Sequence, residues 1–299
     1  MTTFRETQQQ QVQLTQGPIR YRELGTGEPL VFVHGLLVNS LLWEPVAEML
    51  AKDFRVIAPD LPLGSNELPL DDGADTSPPA LAKLIAEFLE ALDLHDVTLV
   101  GNDTGGALCQ LVIANHPERV GRLVLTPCDA YENFPPPIFA PTMTALKSPA
   151  VVRVLATLMR PRFVQRSPLA YGLLTKRPIP DDVMESFLAP VRTNKRVRRQ
   201  LARTVRGIDK RLLLDAAKRF AEWDKPVLIA WAPKDVFFKF AFAERLANDF
   251  PNARLERIED SRTFVSLDQP QRTAELIASF AREPVGSPAQ WPSPHMTAS

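Results

Sequence analysis

Histidine is scarce in this chain, four residues in 299, and that scarcity shapes what the protein can do. Cysteine is scarcer still. Cys109 and Cys128 are the whole supply, too few for a disulfide framework, and read as free thiols in a reducing cytoplasm. No apolar run approaches the ~20 residues that a membrane-spanning helix needs. The opening segment, Met1 to Val12, is polar, Gln-rich and without the apolar core of a signal peptide. Basic and acidic residues balance at 35 each, so no net field draws the chain to nucleic acid or to an anionic membrane. No His/Cys cluster has metal-ligand spacing, and no Gly-x-Gly-x-x-Gly frame opens a helix after a strand. Neither metal nor other cofactor is therefore expected. The expected partner is a small molecule, with the chain a monomer or homodimer.

The length suits one large α/β domain with an inserted subdomain. Short apolar runs predict strands at Leu30 to Val33, Arg55 to Ala58, Val97 to Val100, Arg122 to Leu125, Pro226 to Ala232 and Arg254 to Ile258. Ile19 to Leu24 alternates like an edge strand. Helical spacing marks Trp43 to Leu50, Pro79 to Leu92, Ala107 to Asn115 and Gln271 to Ala281. Buried strands alternating with helices predict an α/β fold, a mostly parallel twisted sheet flanked by helices. The alternation stops at Tyr131 and resumes at Trp223. Between them lie helical patterns, many prolines and no convincing strand, which predicts a helical lid inserted between strands. The expected organisation is a core of residues 17–130 and 221–283, a lid of 131–220, and flexible tails at 1–12 and 284–299. The second half of the lid, with Arg192, Lys195, Arg196, Arg198, Arg199, Arg203, Arg206, Lys210 and Arg211, reads as a solvated basic helix face, or less simply as a surface for an anion or a partner.

Gly101-Asn102-Asp103-Thr104-Gly105-Gly106 is the most specific segment. It joins the run Val97 to Val100 to a helical pattern. Small residues two before and two after an apex residue are what a sharp strand-to-helix turn requires, because side chains there would collide. The apex is an aspartate, and a carboxylate nucleophile suits displacement at alkyl carbon. The order strand–His34-Gly35, strand–Asp60, strand–Gly101-x-Asp103-x-Gly105, helical insert, strand–Asp235 resembles the α/β-hydrolase fold over roughly Gly17 to Ala281. The Gly-x-Asp-x-Gly elbow resembles its aspartate-nucleophile branch of haloalkane dehalogenases and epoxide hydrolases. The resemblance implies Asp103 as nucleophile and the Thr104 and Leu36 amides as oxyanion or halide donors. It implies Asp235 as the supporting acid, with Asp129, after the strand Arg122 to Leu125, as the alternative.

The resemblance also implies a histidine shortly after the last strand, ahead of an acidic residue and a proline. Here the segment is Asp260-Ser261-Arg262-Thr263-Phe264-Val265-Ser266-Leu267-Asp268-Gln269-Pro270. Phe264, Asp268 and Pro270 keep the frame, so Thr263 takes the histidine position. His95 and His116 belong at the opposite end of the sheet, and His295 is in the tail. His34 alone lies on the catalytic side, where this fold uses it structurally. A threonine cannot activate water, and a carboxylate near its ordinary pKa of about 4 is a weak base. Hydrolytic turnover of a haloalkane or epoxide is therefore expected to be weak. Two other readings stay open: a cofactor-free lyase, isomerase or cyclase using Asp103 as acid/base, and a ligand-binding protein with a dead site. The expected pocket residues are His34, Asn39, Asn102, Tyr131, Phe134, Phe237 and Phe238, around a small, mainly apolar molecule. Aromatics placed like Phe237 and Phe238 most often anchor the loop to the core, and core packing explains Tyr131 and Phe134 equally well.

Overall fold

The computed structural model describes residues 3–168 and 170–283. Eight strands form one sheet: β1 (Gln10–Leu14), β2 (Gly17–Leu24), β3 (Pro29–Val33), β4 (Arg55–Pro59), β5 (Val97–Asp103), β6 (Val120–Cys128), β7 (Val227–Trp231) and β8 (Ala253–Arg257). Their order across the sheet is β1-β2-β4-β3-β5-β6-β7-β8. The first two join antiparallel, and every pairing from β4 to β8 is parallel.

Both faces of the sheet are buried, which explains why the central strands read as continuous apolar runs. Along β3, Val31 and Val33 enter one core while Leu30 and Phe32 enter the other. On β7, Val227, Ile229 and Trp231 split from Leu228 and Ala230 in the same way. The first core is closed by the helices Pro78–Ala91, Thr104–Asn115, Lys210–Ala217 and Phe240–Asp249; the second, by Glu44–Leu50 and Pro270–Ala281. Between β6 and β7 the chain leaves the sheet for helices Ala140–Leu146, Pro149–Leu158, Arg162–Gln165, Asp181–Thr193 and Lys195–Gly207. This helical insert carries a small core of its own, in which Leu146, Val152, Ala156, Val191, Val197, Leu201 and Val205 meet Leu36 and Leu37.

Two expectations are corrected. Residues 1–12 do not form a flexible tail where they are described. Phe4 is fully buried, Arg5 pairs with Glu44 and Asp182, and residues 10–14 form β1. The glutamines misled because β1 is an edge strand with its polar residues exposed, while Leu14 and Phe4 anchor it. For the same reason Ile19 to Leu24 is not an edge: β2 lies between β1 and β4. The expected tail at 284–299 lies outside the described residues. Among the described residues no helix is long and apolar enough to cross a membrane.

Candidate active site

Asp103 stands at the carboxyl end of β5, where the parallel sheet opens toward the helical insert. Its φ of 54° and ψ of −133° are strained for a residue with a side chain, and the helix Thr104–Asn115 starts directly after it. The strain is imposed by close packing. A β-carbon on Gly105 would lie 2.3 Å from the carbonyl oxygen of Val33 and 2.5 Å from that of His34. One on Gly35 would lie 2.0 Å from Asp103 Oδ2. The chain therefore passes backbone against carboxylate at this point. Gly105→Ala is expected to lower stability by about 1–3 kcal/mol, because backbone must move to admit the methyl group. Thermal unfolding measures it, and an unchanged Tm would show that the start of the helix yields freely.

The amide of Leu36 donates to Asp103 Oδ2 at 3.1 Å, and that of Thr104 also hydrogen-bonds the carboxylate. The two amides assigned from the motif as anion donors thus converge on Asp103 itself. Asp103 is half-buried. Even so, burial raises its pKa to about 7, the nearby charge of Asp235 adds to the rise, and the two amides oppose it.

The two candidate supporting acids are held differently. Asp235 Oδ1 accepts from the amides of Phe237 and Phe238, both at 2.7 Å, and Oδ2 accepts from Thr263 Oγ1 at 2.8 Å. Its pKa is raised by burial. Asp129, 2% exposed, accepts from Thr104 Oγ1 at 3.3 Å through Oδ2, while its Oδ1 is buried without a partner. Burial, and then the charge of Asp103, push it well above the ordinary carboxylate range. Asp129 follows β6, whose register against β5 shifts between Gly101↔Leu125 and Asp103↔Cys128. That irregularity lies where Asp103 ends β5 and Asp129 follows β6. Among the described residues no group of three or more His, Cys, Asp or Glu side chains is placed to hold a metal ion.

Thr263 is fully buried, and its hydroxyl is committed to Asp235. Its carbonyl accepts from Asn102 Nδ2 at 2.7 Å, a bond that ties the loop after β8 to the elbow. The same nitrogen reaches Thr126 Oγ1 and the carbonyl of Pro127, so Asn102 braces the floor. Asp268, the acidic residue of the retained frame, accepts from the amides of Lys176, Arg177 and Arg262 and locks this loop to the insert.

The remaining expected pocket residues divide. Asn39 caps the 3-10 turn Ser40–Trp43 through Oδ1 and reaches Ser186 of the insert through Nδ2. His34 is wholly buried: Leu61 N–H donates to Nε2 at 2.9 Å, and Nδ1 lies 2.9 Å from the carbonyl of Gly35. With both nitrogens engaged and its pKa lowered by burial, it is a neutral brace rather than a pocket base. Tyr131 serves packing: its hydroxyl donates to Asp249, and its ring meets Phe220, Phe242 and the guanidinium of Arg245. Phe134, Phe237 and Phe238 lie in the core; the Phe237 ring lies 4.5 Å from that of Phe139 in a tilted pair, and the carbonyl of Phe238 holds Trp231 Nε1. What the sequence pattern missed at these two residues is their backbone amides on Asp235. Tyr171 reaches over from the insert to donate to the carbonyl of Leu37 at 2.6 Å, and burial, then the Asp103 charge, raise its pKa. The buried Cys128 thiol is pushed far up by burial, which disfavours a thiolate.

Comparison of the whole chain with known proteins places this site among relatives of named activity. A haloalkane dehalogenase of Mycobacterium tuberculosis is 31% identical over 276 residues, covering 88% of this chain and 91% of that protein. A cis-3-alkyl-4-alkyloxetan-2-one decarboxylase of Shewanella oneidensis is 26% identical over 275 residues, 89% of this chain and 85% of that protein. Among solved structures, a reconstructed ancestral haloalkane dehalogenase superposes with a TM-score of 0.74 at 21% identity, over 90% of this chain and 97% of that one, a likeness of fold. The model of the alpha/beta hydrolase family matches residues 30–276. The chain belongs to the alpha/beta hydrolase family, with haloalkane dehalogenase-like homologues.

Proposed function

We propose that this protein carries out the first half of haloalkane dehalogenase chemistry efficiently and the second half poorly. The carboxylate of Asp103 attacks an alkyl carbon bearing a halide or similar leaving group. A carbon–oxygen bond forms as the carbon–halogen bond breaks, the halide departs with the bonding pair, and an alkyl ester remains on Asp103. Water then adds to the ester carbonyl, the alcohol leaves, and the carboxylate and a proton are regenerated. No cofactor enters either step.

The observation that carries this reading is the Leu36 amide 3.1 Å from Oδ2, with the Thr104 amide on the same carboxylate. These donors orient the nucleophile before attack. In the ester they face the carbonyl oxygen, where charge develops when water adds. The helical insert acts as the lid, with Tyr171 above the elbow, and favours small, mainly apolar substrates.

The second step lacks its usual base. Asp235 receives a hydroxyl from Thr263 where the family resemblance implies an imidazole. Asp129 is the remaining candidate for the proton of the attacking water, since its Oδ1 has no other partner. Its raised pKa makes it a stronger base than a free carboxylate, but also lowers the fraction ionised and ready to take a proton at a given pH. Ester formation should therefore outrun ester cleavage.

Intact-mass measurement after incubation with short bromoalkanes tests this. The expected result is a persistent mass increase equal to one alkyl group, mapped to Asp103 and lost in Asp103→Asn. A protein that turns over bromoalkanes without a detectable adduct, or that forms none and releases no bromide across the panel, would remove the proposal.

A further inference from the structure

Charge is balanced over the whole chain but not within it. Residues 134–208 carry fourteen lysines and arginines against three acids, Asp181, Asp182 and Glu185. The excess gathers around a concavity between the helix Pro149–Leu158 and the start of the helix Lys195–Gly207. Two adjoining cavities there, of about 720 and 930 Å³, share Arg153, Thr157, Lys195 and Arg198. Arg199 lines the first and Arg160 the second. Their size lies in the range of small-molecule sites.

The cations are poorly compensated. Arg192 pairs with Glu185, yet its Nε is buried without an acceptor. Among the described residues Arg153, Arg160, Lys195, Arg198 and Arg199 form no ion pair with a carboxylate. Arg198 is only 8% exposed, and its guanidinium donates to the carbonyls of Val191 and Arg192, neutral acceptors that leave its charge in place. Burial, and then the charge of Arg153, lower its pKa. Like charges held this closely without a counter-charge favour the arrival of an anion.

The same concavity has an apolar side. Val154 and Leu158 line it and are 56% and 61% exposed. They belong to the group of large apolar side chains left open to water on the insert, with Ile138 and Phe163. A bare inorganic anion would leave this wall wet, and a neutral alkane would leave the arginines unpaired.

We propose that this cleft, separate from Asp103, binds a single-chain anionic amphiphile. Its carboxylate or phosphate meets Arg153, Arg198 and Arg199, and its aliphatic chain lies along Val154 and Leu158. Planar guanidinium groups suit both head groups, because each offers paired donors to paired oxygens.

Isothermal titration of the full chain tests this, with octyl phosphate and octanoate below their micellar concentrations. Inorganic phosphate, octanol, phosphatidylglycerol vesicles and duplex DNA are the comparators. The expected result is saturable binding of one octyl phosphate or octanoate per chain, at least about tenfold tighter than inorganic phosphate or octanol, and weakened by salt. The double variant Arg153→Glu/Arg199→Glu should lose at least about tenfold in affinity with an unchanged unfolding curve, since both side chains are exposed. Lys195→Gln, also exposed, gives an independent and smaller loss. Binding of inorganic phosphate as tight as that of octyl phosphate, affinity unchanged in the variants, or binding confined to vesicles or DNA would each overturn the assignment.

Discussion

Thr263→His is expected to speed release of the alkyl–Asp103 ester by roughly 10²–10⁴-fold, the range attributed to a positioned general base. The position is prepared for it. Thr263 Oγ1 already lies 2.8 Å from Asp235 Oδ2, and Asp235 is fixed from its other oxygen by the amides of Phe237 and Phe238. A ring nitrogen replacing that hydroxyl would gain an acid partner that is already oriented, with its other nitrogen turned toward the elbow. Asn102 holds the backbone of residue 263 through its carbonyl, so the loop need not be rebuilt. The difficulty is volume: Thr263 is fully buried, and an imidazole is larger. Rapid-quench mass spectrometry separates the steps. The adduct should form at a similar rate in both proteins and persist only with threonine. An adduct equally long-lived in a folded Thr263→His variant would show that the missing histidine does not limit turnover. Asp129→Asn supplies the converse: it should slow whatever release the natural chain retains while leaving alkylation intact.

Much of this arrangement was legible because its elements are under short-range steric and periodic constraint. The glycines around Asp103 are demanded by backbone contacts within the elbow and with β3, and they announce it in the sequence. The central strands betray themselves as apolar runs because both faces are covered. Polar strands hide: β1 reads as a tail because most of its residues face solvent and only Leu14 is buried. Backbone donors hide more completely. Nothing in Phe237-Phe238 suggests that their amides, rather than their rings, are what Asp235 uses. Asp129 shows a further limit. An aspartate seen in sequence invites its ordinary pKa and so reads as a weak base, whereas the fold buries it beside a second carboxylate and alters that strength. The basic stretch after Asn194 misleads in a similar way. A helical pattern of arginines reads as solvated, yet Arg198 is turned inward against carbonyls.

The same three acids predict an unusual dependence of stability on pH. Asp103 has a pKa of about 7 in the folded chain against 3.8 in an unfolded one, and Asp129 and Asp235 are also raised. An acid whose folded pKa is raised stabilises fully below its unfolded pKa. It loses that contribution as pH climbs toward the folded value, because between the two the folded chain keeps a proton that the unfolded chain gives up. Stability should therefore fall between about pH 4 and pH 7 on account of this cluster, opposite in sign to a salt-bridged aspartate. Each unit of the difference is worth about 1.4 kcal/mol, so Asp103 alone contributes a few kcal/mol across the window. Asp103→Asn removes the charge at nearly constant shape and also relieves Asp129, whose pKa the Asp103 charge raises. The variant should match the natural chain near pH 4.5 and exceed it by several degrees in Tm near pH 8. Parallel Tm curves for the two proteins across this range would show that Asp103 is not held against ionisation. Alkylation runs the other way. In the proposed step only the carboxylate attacks, so the rate of adduct formation should rise with pH to a midpoint near 7, where the stability loss levels off. On the proposed mechanism, the pH at which the fold is most at ease with Asp103 is thus the pH at which its carboxyl is protonated and would not attack, so reactivity is expected only as that ease is given up.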